Sequence, residues 1–219
     1  ENGLASYMFR ANYNYDSKYY IGASIRYDGL SKLPKDTRWG TFWGASAAWR
    51  LSREKFWTEA PVNEWFNDLR LRASYATIGN SALGSDYPYL GTYGAKLVGP
   101  MAGIAWNVMG NNNLKWETTE TFDIGLDGAL FNNRMTFEIA YWQKNSKDLV
   151  LRVPTPPTMG IPNNYYYDNI GKIKNSGFEL TVGGTIINTK DWNWHSDINF
   201  STVKNTVKEL YGGTDIIDN

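Results

Sequence analysis

The feature that most constrains the fold is a two-residue alternation that keeps charge off one side of several stretches. In three of them every second residue is uncharged: Tyr19, Ile21, Ala23, Ile25 and Tyr27; Leu69, Leu71, Ala73, Tyr75 and Thr77; Phe178, Leu180, Val182, Gly184 and Ile186. The residues in between include Arg26, Arg70, Arg72 and Glu179. Because side chains of an extended strand point alternately to opposite sides, this period predicts strands with one apolar and one polar face.

Eight stretches follow the pattern and are predicted to be strands: Ser6–Tyr15, Lys18–Tyr27, Thr41–Leu51, Leu69–Ile78, Thr119–Leu130, Met135–Leu151, Gly177–Ile187 and Trp192–Thr202. Most reach the ~9–11 residues that a tilted strand needs to cross a bilayer. We expect one face to meet lipid, with Ile25, Ala45, Leu71, Ile124, Ile139 and Leu180 on it. We expect the other face to line a lumen and to carry Arg26, Arg72, Asp123 and Glu179.

Composition excludes several classes of protein. The 219 residues contain 22 Lys and Arg against 22 Asp and Glu, so no net field favours nucleic acid. No apolar run is long enough for a transmembrane helix, although a barrel with a polar lumen is compatible with the low mean hydropathy of −0.48. Cysteine is absent, which rules out disulfides and thiolate metal sites.

The predicted connections alternate between short and long. Short turns rich in Asn and Asp lie at residues 16–17, 132–133 and 188–191, where these residue types tolerate the positive φ of tight hairpins. Long segments lie at Asp28–Gly40, Gly79–Thr118 and Arg152–Ser176. This alternation is typical of outer-membrane barrels, which have tight periplasmic turns and long outer loops. Ser52–Asp68 falls on the short side but is longer, and its Arg53–Trp57 segment is predicted to form one helical turn.

The positions of the aromatic residues distinguish a membrane barrel from a soluble sheet protein. Tyr19 and Tyr27 bracket one predicted strand, and Trp43 and Trp49 nearly bracket the next. Aromatic belts of this kind lie at membrane interfaces. Two alternatives remain at this stage: a soluble β-sandwich that binds carbohydrate, and a small structural or adhesive outer-membrane barrel.

Several segments of the sequence resemble motifs of a known family. They are RYDGLSK (26–32), WGTFWGASAAWRLS (39–52), NDLRLRASYATIGN (67–80), NLKWETT (113–119), FNNRM (131–135), KDLVL (147–151) and NIGKIKNSGFEL (169–180). In order and spacing they are similar to the C-terminal barrel region of SusC/RagA TonB-dependent outer-membrane transporters. Within that pattern Trp116 is interpreted as an interfacial anchor.

The resemblance implies an antiparallel transmembrane barrel of about 22 strands, of which this chain supplies about eight. We expect residues 1–219 to be part of one barrel domain, with the plug domain and the final strands outside it and a loop-like segment at residues 211–219. The resemblance further implies a cell outer-membrane location, energy from TonB and a SusD-like surface lipoprotein as partner. It also implies that the substrates are oligosaccharides or peptides.

No catalytic constellation is recognisable. His195 is the single histidine and is interpreted as a wall residue, so neither a metal site nor an enzyme is predicted, and no cofactor is expected. Ligand or partner contact is instead predicted for loop aromatics, because they offer large rigid surfaces for sugars or peptides. These residues are Tyr87, Tyr89, Tyr93 and Trp106 in one loop and Tyr165, Tyr166 and Tyr167 in the next.

Overall fold

The chain forms one eight-stranded antiparallel sheet with a small hairpin beside it. The computed structural model describes residues 3–84, 87–98, 100–161 and 163–210. The strands are β1 Leu4–Tyr15, β2 Tyr19–Leu30, β3 Trp39–Arg50, β4 Phe66–Asn80, β5 Thr92–Val98, β6 Met101–Val108, β7 Glu117–Leu130, β8 Met135–Pro154, β9 Tyr165–Asn188 and β10 Asn193–Glu209. Their order in the sheet is β1-β2-β3-β4-β7-β8-β9-β10, whereas β5 pairs with β6 alone. The predicted all-β, antiparallel fold is confirmed; residues 211–219 lie outside the described part.

The connections separate the two ends of the sheet. The turns after β1, β7 and β9 and the connection after β3 lie at what we call the short-turn end. The connections after β2, β4 and β8 lie at the long-loop end. The β3–β4 connection contains a one-turn helix, Lys55–Thr58, between the 3₁₀ turns Leu51–Arg53 and Pro61–Glu64, so the predicted helical turn is confirmed.

Two long connections are more ordered than the sequence indicated. The Gly79–Thr118 segment contains the β5–β6 hairpin. The Arg152–Ser176 segment is mostly strand, because β8 runs to Pro154 and β9 already begins at Tyr165. The prediction that Tyr165, Tyr166 and Tyr167 lie in a loop is therefore wrong. This part of β9 pairs with the last residues of β8, Arg152–Pro154, and both of its faces carry polar residues, so the alternation that revealed the other strands is missing.

The strand register puts the two predicted faces on opposite sides of the sheet. Directly paired residues share a face, and one row across five strands is entirely apolar: Trp49, Leu71, Leu126, Ile139 and Leu180. We call this side the apolar face. Ile25, Ala45 and Ile124 lie on it by the same register. Arg26, Arg72, Asp123 and Glu179 lie on the opposite side, the polar face, as predicted.

The polar face is held together by ion pairs between neighbouring strands. The Arg72 guanidinium lies 2.8 Å from Asp123 Oδ1 and 3.2 Å from Asp127 Oδ1, and it also contacts Glu138. Arg70 pairs with the other oxygen of Asp127 at 2.6 Å. Charged partners on three strands thus neutralise one another across the wall, which lowers the cost of removing them from bulk water.

Aromatic side chains stack in two groups on the apolar face. At the long-loop end, Trp39 stacks between Tyr27 (4.8 Å) and Tyr7 (6.4 Å), measured between ring centroids. At the short-turn end, Tyr19 stacks on Trp49 at 6.3 Å. The groups are separated by eight residues of β2, about 26 Å along the strand, or roughly 20 Å of bilayer thickness for a strand tilted by ~40°. All five rings are exposed on this face, as belts at two membrane interfaces would be.

The buried core lies at the long-loop end, on the polar face. It consists of Leu30, Leu33, Phe42, Leu83, Leu114 and Trp116, and we call it the loop core. Trp116 is 6% exposed, packs edge-on against Phe42 at 5.3 Å and donates a hydrogen bond from Nε1 to the Arg38 carbonyl at 2.8 Å. The prediction of an interfacial Trp116 is therefore wrong. Glycine makes the room: a Cβ on Gly79 would lie 2.2 Å from Phe42 and 2.8 Å from Trp116.

Candidate ligand-binding surface at the long-loop end

Side-chain amides fix the long β4–β7 connection onto β8 and β9. Asn111 Nδ2 donates to the Tyr167 carbonyl at 3.0 Å and to Asp168 Oδ1 at 3.1 Å. Asn169 Nδ2 donates to the carbonyls of Lys115 (3.0 Å) and Asp148 (2.6 Å), while its Oδ1 accepts from the Lys115 amide at 2.9 Å. Because these bonds join Asn111 and the Lys115 backbone of the connection to residues of β9, and join β9 to Asp148 of β8, they hold the connection in one place on the sheet.

Two of the predicted site residues face each other across the β5–β6 hairpin. Tyr93 and Trp106 are cross-strand partners, and their ring centroids are 4.1 Å apart. Cross-strand aromatic pairs stabilise a hairpin and hold both rings rigid. The sequence placed these residues in a loop, and the structure instead places them on paired strands.

A cavity of about 570 Å³ opens beside this aromatic pair. It brings together three of the predicted residues, Tyr89, Tyr93 and Trp106. The rest of its lining is Leu90, Gly91, Met109, Gly110, Asn112, Met159 and Ile161, with no charged side chain. The cavity is thus an apolar and aromatic recess with a single amide side chain, a composition typical of small-ligand sites.

The other four predicted residues lie outside this lining. Tyr87 is exposed in the preceding turn. The Tyr165 and Tyr167 rings meet edge-on at 5.6 Å, and the Arg152 guanidinium lies 4.8 Å above the Tyr165 ring. Tyr166 forms a backbone bridge to Met109, which lines the cavity. Of the three tyrosines of β9, Tyr166 is thus bridged to a lining residue and Tyr167 packs against the buried core, but none lines the recess.

Sequence reasoning missed Leu90, Met109, Met159 and Ile161. These residues are single apolar positions in connections, with no period and no motif around them. A chain of short turns, a 3₁₀ turn at Pro157–Met159 and the hairpin bring them together. No local signal in the sequence identifies such a convergence.

One face of the hairpin is apolar and exposed. The register puts Tyr93, Ala95, Leu97, Ala102, Ile104 and Trp106 on the same side. Leu97 is 76% exposed and Ile104 is 82% exposed. We call this set the hairpin face. An exposed apolar patch next to a cavity is typical of an interaction surface.

Other kinds of site are not found within the described ranges. Those residues contain no group of three or more His, Asp or Glu side chains placed to hold a metal ion. No helix among them is long and apolar enough to cross a bilayer. His195 contacts Thr185 Oγ1 and Asp197 Oδ1, each at 3.2 Å, on the wall.

Comparison with known proteins decides the family. The model of the family described as "TonB dependent receptor-like, beta-barrel" matches residues 2–219. The chain belongs to this family. It is 35% identical to TonB-dependent receptor P26 of Formosa agariphila, over 98% of this chain and 21% of that protein. It is 32% identical to TonB-dependent receptor SusC of Bacteroides thetaiotaomicron, over 98% of this chain and 22% of that protein.

A solved structure agrees with these relatives. The RagAB peptide importer in its open-open state superposes with a TM-score of 0.87 at 30% identity, over 98% of this chain and 23% of that chain. The family resemblance to SusC and RagA is thereby confirmed, and the sheet is a segment of an outer-membrane β-barrel. Because the outward side of such a barrel is apolar and its interior is polar, we assign the apolar face to the lipid side and the polar face to the interior. The chain spans about a fifth of the length of the curated relatives it matches, which are named as receptors rather than enzymes.

Proposed function

We propose that this chain forms part of the wall and outer loops of a TonB-dependent importer that takes up oligosaccharides or peptides. A SusD-like surface lipoprotein acts as its partner, and TonB supplies energy through regions of the importer outside this chain. The family, the outer-membrane fold and the similarity to SusC and the RagAB peptide importer support this proposal. The observation that supports the proposal most directly is the apolar, aromatic cavity at the long-loop end, which we place on the outer side of the membrane.

The cavity favours peptides over sugars as the substrate. Sugar sites combine an aromatic platform with several amide or charged side chains that hydrogen-bond to hydroxyl groups, whereas this lining offers one amide, Asn112, beside two tyrosine hydroxyls and one indole N–H. Met109 and Met159 supply flexible thioethers that adapt to apolar side chains of different shapes. An apolar side chain of a peptide would bury itself between these methionines and the Trp106 ring.

The hairpin face is the proposed contact for the lipoprotein. The lipoprotein would cover the outer loops like a lid, and the exposed Leu97 and Ile104 lie on the surface that it would contact. Apolar side chains of this kind occupy the centres of protein interfaces. The Tyr93–Trp106 pair joins this face to the cavity, so lid and substrate share one wall.

The two alternatives explain less of the structure. A β-sandwich needs a second sheet packed on the apolar face, but in the described residues no second sheet covers it and residues such as Ile21, Ile124 and Ile198 remain exposed. A small structural barrel does not account for a cavity ordered by the Asn111 and Asn169 hydrogen bonds.

Binding measurements on the full-length importer test the proposal. Trp106→Ala removes an aromatic wall of the cavity, and we expect peptide affinity to fall about tenfold, ~1.4 kcal/mol. Tyr87→Ala is the matched control, because this tyrosine is in the same connection but outside the lining.

Ile104→Asp should weaken association with the lipoprotein while barrel assembly remains intact. Unchanged peptide affinity in the first variant and unchanged lipoprotein association in the third would refute the proposed roles.

A further inference from the structure

The β3–β4 connection, residues 51–65, differs from the other connections at the short-turn end. The turns after β1, β7 and β9 span three or four residues each, 16–18, 131–134 and 189–192. Residues 51–65 instead form two 3₁₀ turns around the helix Lys55–Thr58. A connection between adjacent antiparallel strands does not need this length, so the extra residues call for a separate explanation.

A polar clamp holds the start of the connection on the polar face. Asp68 accepts two hydrogen bonds from Arg50, through Nε and Nη2, each at 2.7 Å. The Ser52 hydroxyl donates to the same carboxylate at 2.5 Å. Arg50 lies on the polar face beside Arg70, so the chain leaves β3 tied to the interior side of the wall.

A second clamp, two residues later, holds the connection on the apolar face. Glu54 accepts hydrogen bonds from Tyr19 Oη at 2.5 Å and from Trp49 Nε1 at 3.1 Å, and both rings lie on the apolar face. The Tyr19 hydrogen bond, followed by that of Trp49, lowers the pKa of the Glu54 carboxyl. The carboxylate therefore stays charged at neutral pH and keeps both aromatic donors engaged.

The helical turn packs against the apolar face at its short-turn end. Trp57 meets Phe66 edge-on at 6.2 Å and donates from Nε1 to the Phe66 carbonyl at 3.3 Å. Phe66 in turn meets Phe137 at 6.4 Å, and Phe137 lies on the apolar face opposite Gly128. The connection has thus wrapped around the rim of the sheet, from the polar face to the side that meets lipid.

The outward side of this connection is both aromatic and charged. Phe56 is 57% exposed, and Trp65 is 61% exposed beside Phe131, with 6.1 Å between ring centroids. Arg53 and Lys55 are exposed on either side of Glu54. We propose that this connection is a membrane-surface anchor whose exposed aromatic residues insert among phospholipids of the inner leaflet of the outer membrane.

We assign phospholipid as the partner of the anchor because the anchor is continuous with the apolar face, which lipid covers. The short turns of outer-membrane barrels lie on the periplasmic side, so residues 51–65 are at the inner interface. Tyr19 and Trp49, which hold the anchor, are themselves members of the aromatic group at that end of the apolar face. Aromatic rings settle at the headgroup boundary, and the basic side chains of Arg53 and Lys55 lie beside Phe56, where they can reach lipid phosphates.

Site-directed spin labelling measures this immersion directly. The 219 residues contain no cysteine, so Phe56→Cys introduces a unique label site here, with any cysteine elsewhere in the full-length protein replaced. The labelled protein is placed in bilayers of phosphatidylethanolamine and phosphatidylglycerol, and collisions with oxygen and with a water-soluble nickel chelate are compared. We expect the oxygen-to-nickel ratio at position 56 to exceed that of Glu59→Cys, the exposed matched control, several-fold.

Two results would overturn the anchor. Ratios at positions 56 and 59 that are equal and as low as at a water-exposed site would put the connection in water, and a label at 56 shielded from both reagents would indicate a protein neighbour instead of lipid. Phe56 and Glu59 are both exposed, and heat-dependent gel mobility checks that each variant forms a folded barrel. A second label at Trp65→Cys applies the same comparison to the other exposed ring.

Discussion

The two faces of the eight-stranded sheet are built from the same strands but are stabilised by different surroundings. On the polar face, Arg72 bridges carboxylates on two neighbouring strands, and the loop core buries Leu33 and Leu114 completely. On the apolar face, side chains such as Ile25 and Ile198 have few protein neighbours and remain exposed. The comparison shows that protein atoms bury the side chains of one face, whereas lipid buries those of the other.

Two tryptophans near the same end of the sheet show the contrast with one residue type. Trp116 is enclosed by the loop core, with its indole nitrogen bonded to the Arg38 carbonyl. Trp39 lies on the apolar face, where it stacks between Tyr27 and Tyr7 and remains exposed. Truncation of Trp116 leaves a cavity in protein, but lipid chains can fill the space left by Trp39.

The largest expected effect comes from this pair. We expect Trp116→Ala to destabilise the long-loop end by about 3–5 kcal/mol, the usual cost of removing a buried tryptophan. Trp39→Ala should cost less, because the bilayer adapts to the missing ring. Hydrogen exchange of the amides around Leu114 measures both. Equal loss of protection in the two variants would contradict the contrast between the faces.

A charge placed on each face gives the next largest effect. Ile124 lies near the middle of β7 on the apolar face, and Ile124→Arg should cost about 2–4 kcal/mol if this position is at the bilayer midplane. Ser46→Arg is the matched control, since Ser46 is exposed on the polar face opposite Ser74. Unfolding of the full-length protein from bilayers in urea gives both free energies. An arginine tolerated equally well at both positions would show that the apolar face does not meet lipid.

The same contrast explains which parts of the fold the sequence could predict. The two-residue period identified the membrane part of the wall, because lipid excludes charge from the apolar-face positions within the bilayer, as at Ile124 and Leu126. It missed the start of β9 at Tyr165, where the strand has left the membrane and polar residues are allowed on both sides. It missed β5 because Gly94 and Ala95 carry too little side chain to show a pattern.

The candidate site was predictable to a smaller extent. Aromatic content pointed to Tyr89, Tyr93 and Trp106, and these three do line one cavity. Trp116 was misplaced because an aromatic residue next to a strand end looks the same in sequence whether its ring turns to lipid or to the interior. The Gly79 and Phe42 arrangement that decides between them joins residues far apart in the chain.

The smallest expected effect concerns Glu54, where a charged group meets the edge of the apolar face. Hydrogen bonds from Tyr19 and then Trp49 lower the pKa of this carboxyl from its usual value of 4.5. The stabilisation is therefore fully present above that value and is lost as the pH falls through the lowered pKa of the folded state. We expect acid to loosen residues 51–65 in the native protein, and Glu54→Gln to remove this pH dependence because an amide does not titrate.

Hydrogen exchange of the Trp57 and Thr58 amides, which donate to the Glu54 carbonyl, follows this change. Spectra are compared at neutral pH and in the acid range below 4.5, the usual glutamate value, with intrinsic exchange rates corrected for pH. Asp16→Asn is the control, because Asp16 also lies at the short-turn end and near Lys18 but contacts neither aromatic ring. A pH dependence that persists in Glu54→Gln would assign it to another group and would mean that Tyr19 and Trp49 hold the connection without the charge.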